Sequence, residues 1–198
     1  MSNVRHRTNF ADLIADQTAQ HWNVRDDLKD CTLSQLQEKS QNDRLPYGVC
    51  VLNLTGDLNV GMVIRTACIM GAERVVILGR RKYDKRSTVG AQNYVDVVRV
   101  DALTDELEFD ATVFDKTMAE FNYTPVFLET GGPDIIDFNW NSVPNKPCLI
   151  LGNEGFGTPD YIIRDNPRVT IPQLGPLRSL NVAVAGGIAM WEIKQHLK

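Results

Sequence analysis

The sequence predicts an α/β fold with a mainly parallel sheet flanked by helices, and the alternation of two patterns carries this prediction. From about Tyr47 onward, short apolar runs that suit buried strands alternate with segments that suit helices. Residues 49–52 and 148–151 are the clearest apolar runs, and each has the length of a buried strand. Strands that alternate with helices in this way pair in parallel, with the helices covering the sheet.

Each further element follows from its local pattern. Asn59 suits the cap of a helix whose apolar residues share one face, and Gly71 suits the position just after its last turn. Other helices are expected at residues 112–121, after Pro159, and from the end of the last loop to residue 198. The remaining strands are expected at residues 74–78, 95–100, 125–128 and 168–171.

Two regions differ in composition. Residues 1–46 are polar with weak helical periodicity, so we expect a short helical extension outside the main core. Residues 47–198 carry the alternating pattern and form the predicted domain. The full chain has 198 residues, which suffices for one domain with a complete core and a small appendage.

Composition excludes some classes of protein. The apolar fraction is 43% and the charged fraction 23%, as in soluble globular proteins. No run of about 18 apolar residues predicts a membrane span, and residues 1–9 lack a secretion signal, so we expect a cytoplasmic protein. Four widely spaced cysteines form no CxxC pair, which favours free thiols over disulfides or a metal site: Cys31, Cys50, Cys68 and Cys148.

Three segments combine glycine, proline and small polar residues: 59–71, 149–159 and 171–185. Such turns present backbone N–H and C=O groups beside a helix end, which suits the binding of a polar small molecule. In the third segment, Ser179 and Asn181 stand two residues apart and are able to face one ligand. Helix capping by either residue is the structural alternative.

The glycine-rich loop, residues 152–157, directly follows a predicted strand. It lacks the Gly-Lys-Ser/Thr ending of a phosphate loop, and the first strand is not followed by a GxGxxG dinucleotide fingerprint. A tight strand-to-helix turn would explain the glycines. It does not explain Glu154, whose charge must be solvated or used in function.

Arg65 is a charged residue on an otherwise apolar predicted helix. Its guanidinium requires an anionic partner or a water-filled cleft, so a catalytic role and a structural salt bridge both remain open. The histidines His6, His21 and His196 lie far from all three segments in the sequence. A Ser/His/Asp triad and a zinc site are therefore unsupported.

The basic loop, residues 80–86, follows the second predicted strand. The formal net charge of −4 does not indicate nucleic-acid binding, although a local basic patch can act within an acidic protein. An aromatic residue, Tyr83, lies among the charges, and this mixture leaves a solvated loop and an RNA contact both open. The positive residues are Arg80, Arg81, Lys82, Lys85 and Arg86.

Three motifs stand in register along the chain. They are Asn59-Val60-Gly61 with Arg65-Thr66-Ala67, Leu151-Gly152-Asn153-Glu154-Gly155, and Ile171-Pro172 with Ser179-Leu180-Asn181-Val182. Taken together, they resemble the motifs of the TrmH/SpoU family of SPOUT-class RNA ribose 2′-O-methyltransferases. The resemblance covers about residues 47–198. It implies a parallel sheet with a C-terminal deep trefoil knot, S-adenosylmethionine as cofactor, no metal, and a homodimer formed through the knot and the terminal helix.

The resemblance also implies roles for individual residues. Arg65 matches the catalytic arginine, which acts either as a base or as a group that orients phosphate and hydroxyl. Asn59 and Glu154 match supporting residues, and Ser179 and Asn181 match residues near the reacting groups. The residues implied in cofactor binding are Leu151, Gly152, Asn153, Gly155, Ile171, Leu180, Asn181 and Ala183.

The substrate implied is structured RNA. The third motif, with Gln173, Arg178 and Trp191, is most similar to tRNA guanosine methyltransferases of this family, so we expect tRNA rather than rRNA. The acidic charge and short N-terminal extension leave a second hypothesis open, a non-catalytic RNA-binding or assembly factor with the same fold. An ordinary nucleotide-binding enzyme is disfavoured because both nucleotide fingerprints are missing.

Overall fold

The computed structural model describes residues 24–53, 58–79, 83–153 and 155–197. Its strands are β1 (Leu45–Asn53), β2 (Ala72–Gly79), β3 (Asp96–Val100), β4 (Tyr123–Leu128), β5 (Lys146–Leu151) and β6 (Arg168–Val169). Its helices are α1 (Leu33–Asn42), α2 (Leu58–Met70), α3 (Ala111–Glu120), α4 (Asp160–Ile163) and α5 (Val182–His196).

The six strands form one sheet in the order β3-β2-β1-β5-β4-β6, and every pair in it is parallel. The register places Val49 of β1 opposite Val75 of β2 and Leu149 of β5. Because all strands run the same way, their carboxyl ends meet at a single edge of the sheet. The predicted α/β fold with a parallel sheet is thus confirmed.

Two apolar layers cover the sheet. Alternate strand residues point to opposite faces, so Val49 packs in one core cluster while Cys50 packs in the other. The first cluster includes residues of α2 and α5, and the second includes residues of α3 and α4. Burial also raises the pKa of the thiols of Cys50 and Cys148, and all four cysteines are free.

Helix α2 is oriented by its apolar face. Val60, Val63 and Ile64 are buried against the sheet. Gly71 follows the last helical residue with a φ of +79°, the left-handed conformation predicted for a glycine at this position. The prediction that Asn59 caps the helix is wrong, because α2 begins at Leu58 and Asn59 lies within its first turn.

Helix α5 approaches the sheet closely. A Cβ added at Gly186 would lie 2.8 Å from Leu151 Cδ1, so glycine is what allows the helix to sit on β5. The same helix packs along α2. Helix α5 begins at Val182, with Asn181 as its cap. The packing of α5 along α2 therefore brings the third motif to the helix that carries the first motif.

Several element boundaries differ from the predicted ones. Strands β1, β4 and β5 begin earlier than their apolar runs, at Leu45, Tyr123 and Lys146, because parallel pairing extends into the residues that precede each run. Strand β6 covers only Arg168–Val169 rather than residues 168–171. Thr170 leaves the ladder and bonds instead to the loop after β4, through its N–H to the carbonyl of Pro133 at 2.8 Å.

Helix α1 belongs to the predicted N-terminal extension. It is capped by a reciprocal box between Thr32 and Gln35, and Ser40 Oγ donates to the carbonyl of Tyr94 at 2.6 Å. Arg44 Nη2 donates to the same carbonyl at 3.1 Å. The described part of the extension is therefore attached to the loop before β3. Residues 1–23, including the helical pattern predicted there, lie outside the described residues.

A polar cluster lies at the amino ends of the strands. Tyr123 Oη donates to Glu73 Oε1 at 2.7 Å, and Lys146 pairs with the same carboxylate. Burial, followed by this hydrogen bond, raises the pKa of Tyr123. Gly48 makes room for the ring, since a Cβ there would lie 2.5 Å from Tyr123 Cζ. This amino-end cluster fastens β2, β4 and β5 together.

Within the described residues, no helix has the length and apolar character that crossing a bilayer requires. In the same part of the chain, no group of three or more His, Cys, Asp or Glu side chains has a metal-binding arrangement.

Candidate functional site

A cavity of about 320 Å³ opens at the carboxyl ends of β4, β5 and β6. This is the edge where parallel α/β sheets bind ligands, because the loops that follow the strands gather there. Its walls come from four segments of the chain. The lining residues include Leu128, Glu129, Leu151, Gly152, Asn153, Gly155, Phe156, Ile171, Arg178, Ser179 and Leu180.

The cavity brings together most residues predicted to bind a cofactor. Six of them line it, and so does Ser179, which was predicted near the reacting groups. Asn181 and Ala183 are not lining residues. Asn181 Oδ1 instead accepts hydrogen bonds from the N–H groups of Ala183 and Val184, at 3.0 and 3.3 Å. The capping alternative therefore holds for Asn181, whereas Ser179 is an exposed residue of the cavity wall.

Asn181 also connects two motifs that are far apart in the sequence. Its Nδ2 donates to Asn59 Oδ1 at 3.1 Å, across 122 positions of the chain. Since the amide caps α5 with its oxygen and reaches α2 with its nitrogen, it fixes the start of α5 relative to the first motif. The predicted site residues Asn59 and Asn181 are thus in contact.

Arg65 lies on the exposed side of α2 and does not line the cavity. Within the described residues, its guanidinium has neither an ion pair nor a hydrogen bond. The structural salt bridge that the sequence left open is therefore not formed in that part of the chain. Glu154, the residue expected to fix Arg65, lies outside the described residues.

The glycine-rich loop closes on itself at the base of the cavity. Asn153 and Gly157 exchange two backbone hydrogen bonds of 3.0 and 2.8 Å, with Gly157 at a φ of +68°. A Cβ on Gly152 would come within 2.7 Å of the Gly157 carbonyl carbon, so any side chain there would displace the loop. The tight turn thus requires glycine at position 152.

Asn153 is the buried polar residue of this loop, at 5% exposure. Its Oδ1 accepts a hydrogen bond from the N–H of Gly155 at 2.9 Å. Its Nδ2 is buried without a hydrogen-bond partner in the described chain, as is Thr158 Oγ1. A buried donor without a partner is costly, so a ligand that accepts from Nδ2 would remove that cost.

Glu129 lines the cavity but was not among the residues predicted from the sequence. Its Oε1 accepts a hydrogen bond from the N–H of Thr158 at 2.8 Å. A signal for it existed in the sequence, because it is the charged residue directly after the apolar end of β4. Further lining residues without a predicted role in the cavity are Thr130, Phe156, Gln173 and Arg178.

Part of the basic loop sits directly on α2. Lys85–Thr88 forms a 3₁₀ turn, and Ser87 lies so close to Gly61 that a Cβ there would fall 1.7 Å from Ser87 Oγ. Arg86 pairs with Asp84, and this hydrogen bond holds the pKa of the Asp84 carboxyl below its usual value. Lys85 is exposed. The predicted RNA-binding residues Arg80, Arg81 and Lys82 lie outside the described residues.

Comparisons with known proteins agree with this geometry. Residues 47–191 match the model of the SpoU rRNA Methylase family. An uncharacterized tRNA/rRNA methyltransferase of Mycolicibacterium gilvum (strain PYR-GCK) is 28% identical over 169 residues, covering 81% of this chain and 50% of that protein. The chain spans about half the length of the curated relatives it matches.

Solved structures share the fold. An AdoMet-bound rRNA methyltransferase from Sinorhizobium meliloti has a TM-score of 0.63 and 26% identity, over 77% of this chain and 57% of that one. A protein described as an RNA 2′-O ribose methyltransferase has a TM-score of 0.63 over 78% of this chain and 57% of that one. At 22% identity, the second likeness supports the fold alone.

The cavity residues fit S-adenosylmethionine, the cofactor of this family. The unpartnered Nδ2 of Asn153 offers a donor, Gly152 lines the cavity, and Leu128, Leu151 and Ile171 supply apolar surface suited to adenine. The family match extends over most of the chain, from the start of the sheet into α5. The chain therefore belongs to the SpoU rRNA methylase family, whose members are RNA methyltransferases of the TrmH/SpoU type.

Proposed function

We propose that this protein transfers a methyl group from S-adenosylmethionine to a ribose 2′-hydroxyl of structured RNA, with a tRNA guanosine favoured over rRNA. The observation that carries the proposal is the union of the three motifs at one edge of the sheet. The second and third motifs line the cavity, and Asn181 bonds to Asn59 of the first.

The cofactor would supply an electrophilic methyl group on its sulfonium. Backbone groups near Gly152 and Leu180, together with the amide of Asn153, would hold it in the cavity. Ser179, exposed on the cavity wall, would contact the approaching ribose. These residues bind and orient, so their contribution is to align the hydroxyl with the methyl group.

Arg65 would act on the RNA. A guanidinium keeps its proton in proteins, so it is a poor base and a good partner for phosphate. We therefore assign it the orientation of a backbone phosphate and the neighbouring 2′-hydroxyl. The exposed guanidinium of Arg65 supports this role, and Glu154 would restrain it as the family resemblance implies.

A homodimer, which the family resemblance implies, would explain the position of Arg65. On α2, Leu58, Met62 and Ile69 are exposed apolar residues on the same stripe as Arg65. Helix α5, which packs against α2, exposes Val184, Ile188 and Trp191 at the same spacing. Pairing of these faces would bury both stripes and bring Arg65 toward the partner subunit's cavity.

The C-terminal segment is also proposed to form the trefoil knot of the family, within a domain of residues 47–198 that follows an extension of residues 1–46. The loop after β4 supports this proposal. It runs parallel to the segment after β6, with a bridge between Asp134 and Thr170, so that the two stretches of chain lie together just before α5. The cytoplasm, where tRNA is abundant, would be the site of action.

The test is methyl transfer to total RNA from labelled S-adenosylmethionine, with the product mapped to 2′-O-methyl nucleosides by mass spectrometry. Arg65→Ala should reduce transfer at least roughly a hundredfold, because a charge-assisted phosphate contact is lost from the transition state. Calorimetric affinity for the cofactor should change less than about threefold, since Arg65 lies outside the cavity.

Arg164→Ala is a matched control, because Arg164 is exposed and pairs with Asp115 on the other face of the sheet. It should leave transfer unchanged. Label on a base, or full transfer by Arg65→Ala, would contradict the proposal. RNA binding without cofactor binding would instead support a non-catalytic RNA-binding factor, which the acidic net charge of −4 and short extension allow.

A further inference from the structure

We propose that Glu129 positions the cofactor, with its carboxylate accepting hydrogen bonds from the ribose hydroxyls of the adenosine part. This inference rests on the cofactor of the proposed function and not on the RNA that is modified. Glu129 is the first residue after β4, and it lines the cavity from the carboxyl end of that strand.

The backbone of Glu129 is held on both sides. Its N–H donates to the carbonyl of Val169 at 3.0 Å, and its carbonyl accepts from Thr170 Oγ1 at 2.7 Å. Thr170 Oγ1 in turn accepts from the N–H of Gly132 at 2.9 Å. Because these bonds extend the β4–β6 pairing past the end of the ladder, the side chain leaves the backbone in a fixed direction.

The carboxylate itself is held by the glycine-rich loop. Oε1 accepts from the N–H of Thr158 at 2.8 Å. A Cβ on Gly152 would lie 3.0 Å from Oε1, and one on Gly157 would lie 3.2 Å from it. The two glycines therefore leave the space that the carboxylate occupies, and the loop closes around it.

Hydrogen-bonding capacity remains on this carboxylate. An ionised carboxylate has about four acceptor sites, and one of them serves Thr158. Among the described residues, no lysine, arginine or histidine forms an ion pair with Glu129. The Glu129 carboxylate lines the cavity and has unused acceptor sites, so it suits a ligand that donates hydrogen bonds to it.

The neighbours of Glu129 indicate which part of the cofactor it meets. Leu128 and Leu151, at the ends of adjacent strands, line the same side of the cavity and suit the nucleoside. Arg178, in the loop before α5, lines the cavity and suits the carboxylate of the methionine part. A carboxylate after a parallel strand matches the two adjacent hydroxyls of a ribose, since both of its oxygens are acceptors.

The experiment compares wild-type protein with Glu129→Gln by calorimetry. Glutamine keeps the oxygen that Thr158 requires and removes the charge and the second acceptor. The ligands are S-adenosylmethionine, 5′-methylthioadenosine, which lacks the amino acid and the positive charge, and the 2′,3′-dideoxy form of 5′-methylthioadenosine. We expect affinity to fall at least roughly tenfold for the first two ligands, as for a lost hydrogen bond to a charged group.

The dideoxy ligand should bind wild type and variant equally, because it lacks the hydroxyls that would donate hydrogen bonds to Glu129. Glu120→Gln, at the exposed end of α3, is the matched control and should bind all three ligands like wild type. Circular dichroism and thermal unfolding of each variant verify that the loop change is local.

Two results would overturn the assignment. Weaker binding of S-adenosylmethionine with unchanged binding of 5′-methylthioadenosine would place the carboxylate at the ammonium group. Unchanged binding of every ligand to Glu129→Gln would remove Glu129 from the ribose. Failure of the proposed RNA methylation would leave these binding results intact, so the two failures are distinguishable.

Discussion

At the scale of single residues, Asn181 shows how one side chain serves both stability and site geometry. Its oxygen caps α5 and its nitrogen bonds to Asn59. An ionised aspartate would cap the helix equally well but has no hydrogen to donate to Asn59. Asparagine is therefore specified by the contact between motifs rather than by the cap.

Substitutions at Asn181 should separate these two effects. Asn181→Ala should lower the free energy of unfolding by about 1 kcal/mol through loss of the cap, and it should also reduce methyl transfer. Asn181→Asp should restore the stability while transfer stays low, because the donor to Asn59 is absent. Denaturant unfolding and transfer assays measure both. Equal transfer by wild type and Asn181→Asp would mean that the Asn59 contact is dispensable.

At the scale of elements, glycines set how closely helices and turns approach. Gly61 seats the 3₁₀ turn of the basic loop on α2, and Gly186 seats α5 on β5. By contrast, a Cβ on Gly187 would meet only Thr66 Cγ2, at an ordinary 3.8 Å. Substitution by alanine is therefore expected to lower the stability of the protein at Gly61 and to raise it at Gly187.

Gly61→Ala should destabilise the protein by about 1–3 kcal/mol, because its Cβ would overlap Ser87 and force the turn away from α2. RNA binding should weaken as Lys85 moves with that turn. Gly187→Ala should stabilise by up to about 1 kcal/mol, since alanine favours a helix and has room there. Chemical denaturation and filter binding of RNA measure the two effects. A stabilised Gly61→Ala would show that the turn is not docked on α2.

At the scale of the whole molecule, the proposed dimer would bring Arg65 of one subunit to the cavity of the other. Helices α2 and α5 pack against each other and each exposes an apolar stripe, which on α5 includes Trp191 at 53% exposure. Exposed apolar patches of this kind mark interaction surfaces. Arg65 lies on the exposed stripe of α2 and does not line the cavity of its own chain.

Trp191→Glu should convert the dimer to monomer and abolish transfer, because a carboxylate would be buried in an apolar interface. Sedimentation equilibrium gives the oligomeric state, and calorimetry should show the cofactor affinity retained within about threefold. Leu107→Glu is the control, since Leu107 is exposed in the loop after β3. A dimeric Trp191→Glu protein, or an active monomer, would refute the interface.

The sequence predicted those parts of the molecule that depend on local patterns. The apolar runs around Val49 and Leu149 determine the strands, and their burial on both faces requires a parallel sheet. The length of β6 and the place of Asn59 within α2 depend on contacts between distant segments, which no local pattern contains. Glu129 carries a local signal, a charge directly after an apolar strand, but the glycine-rich loop that packs around its carboxylate comes from a distant segment.

The amino-end cluster of Glu73, Tyr123 and Lys146 has a consequence for the protein's tolerance of change. Strand β5 runs from Lys146 in that cluster to Leu151 on the cavity wall, a span of about 16 Å at the usual rise per residue. The contacts that hold these strands together and the residues that line the cavity therefore lie on opposite rims of one sheet. Thermostabilising changes are best introduced at the amino rim, where they cost the least turnover.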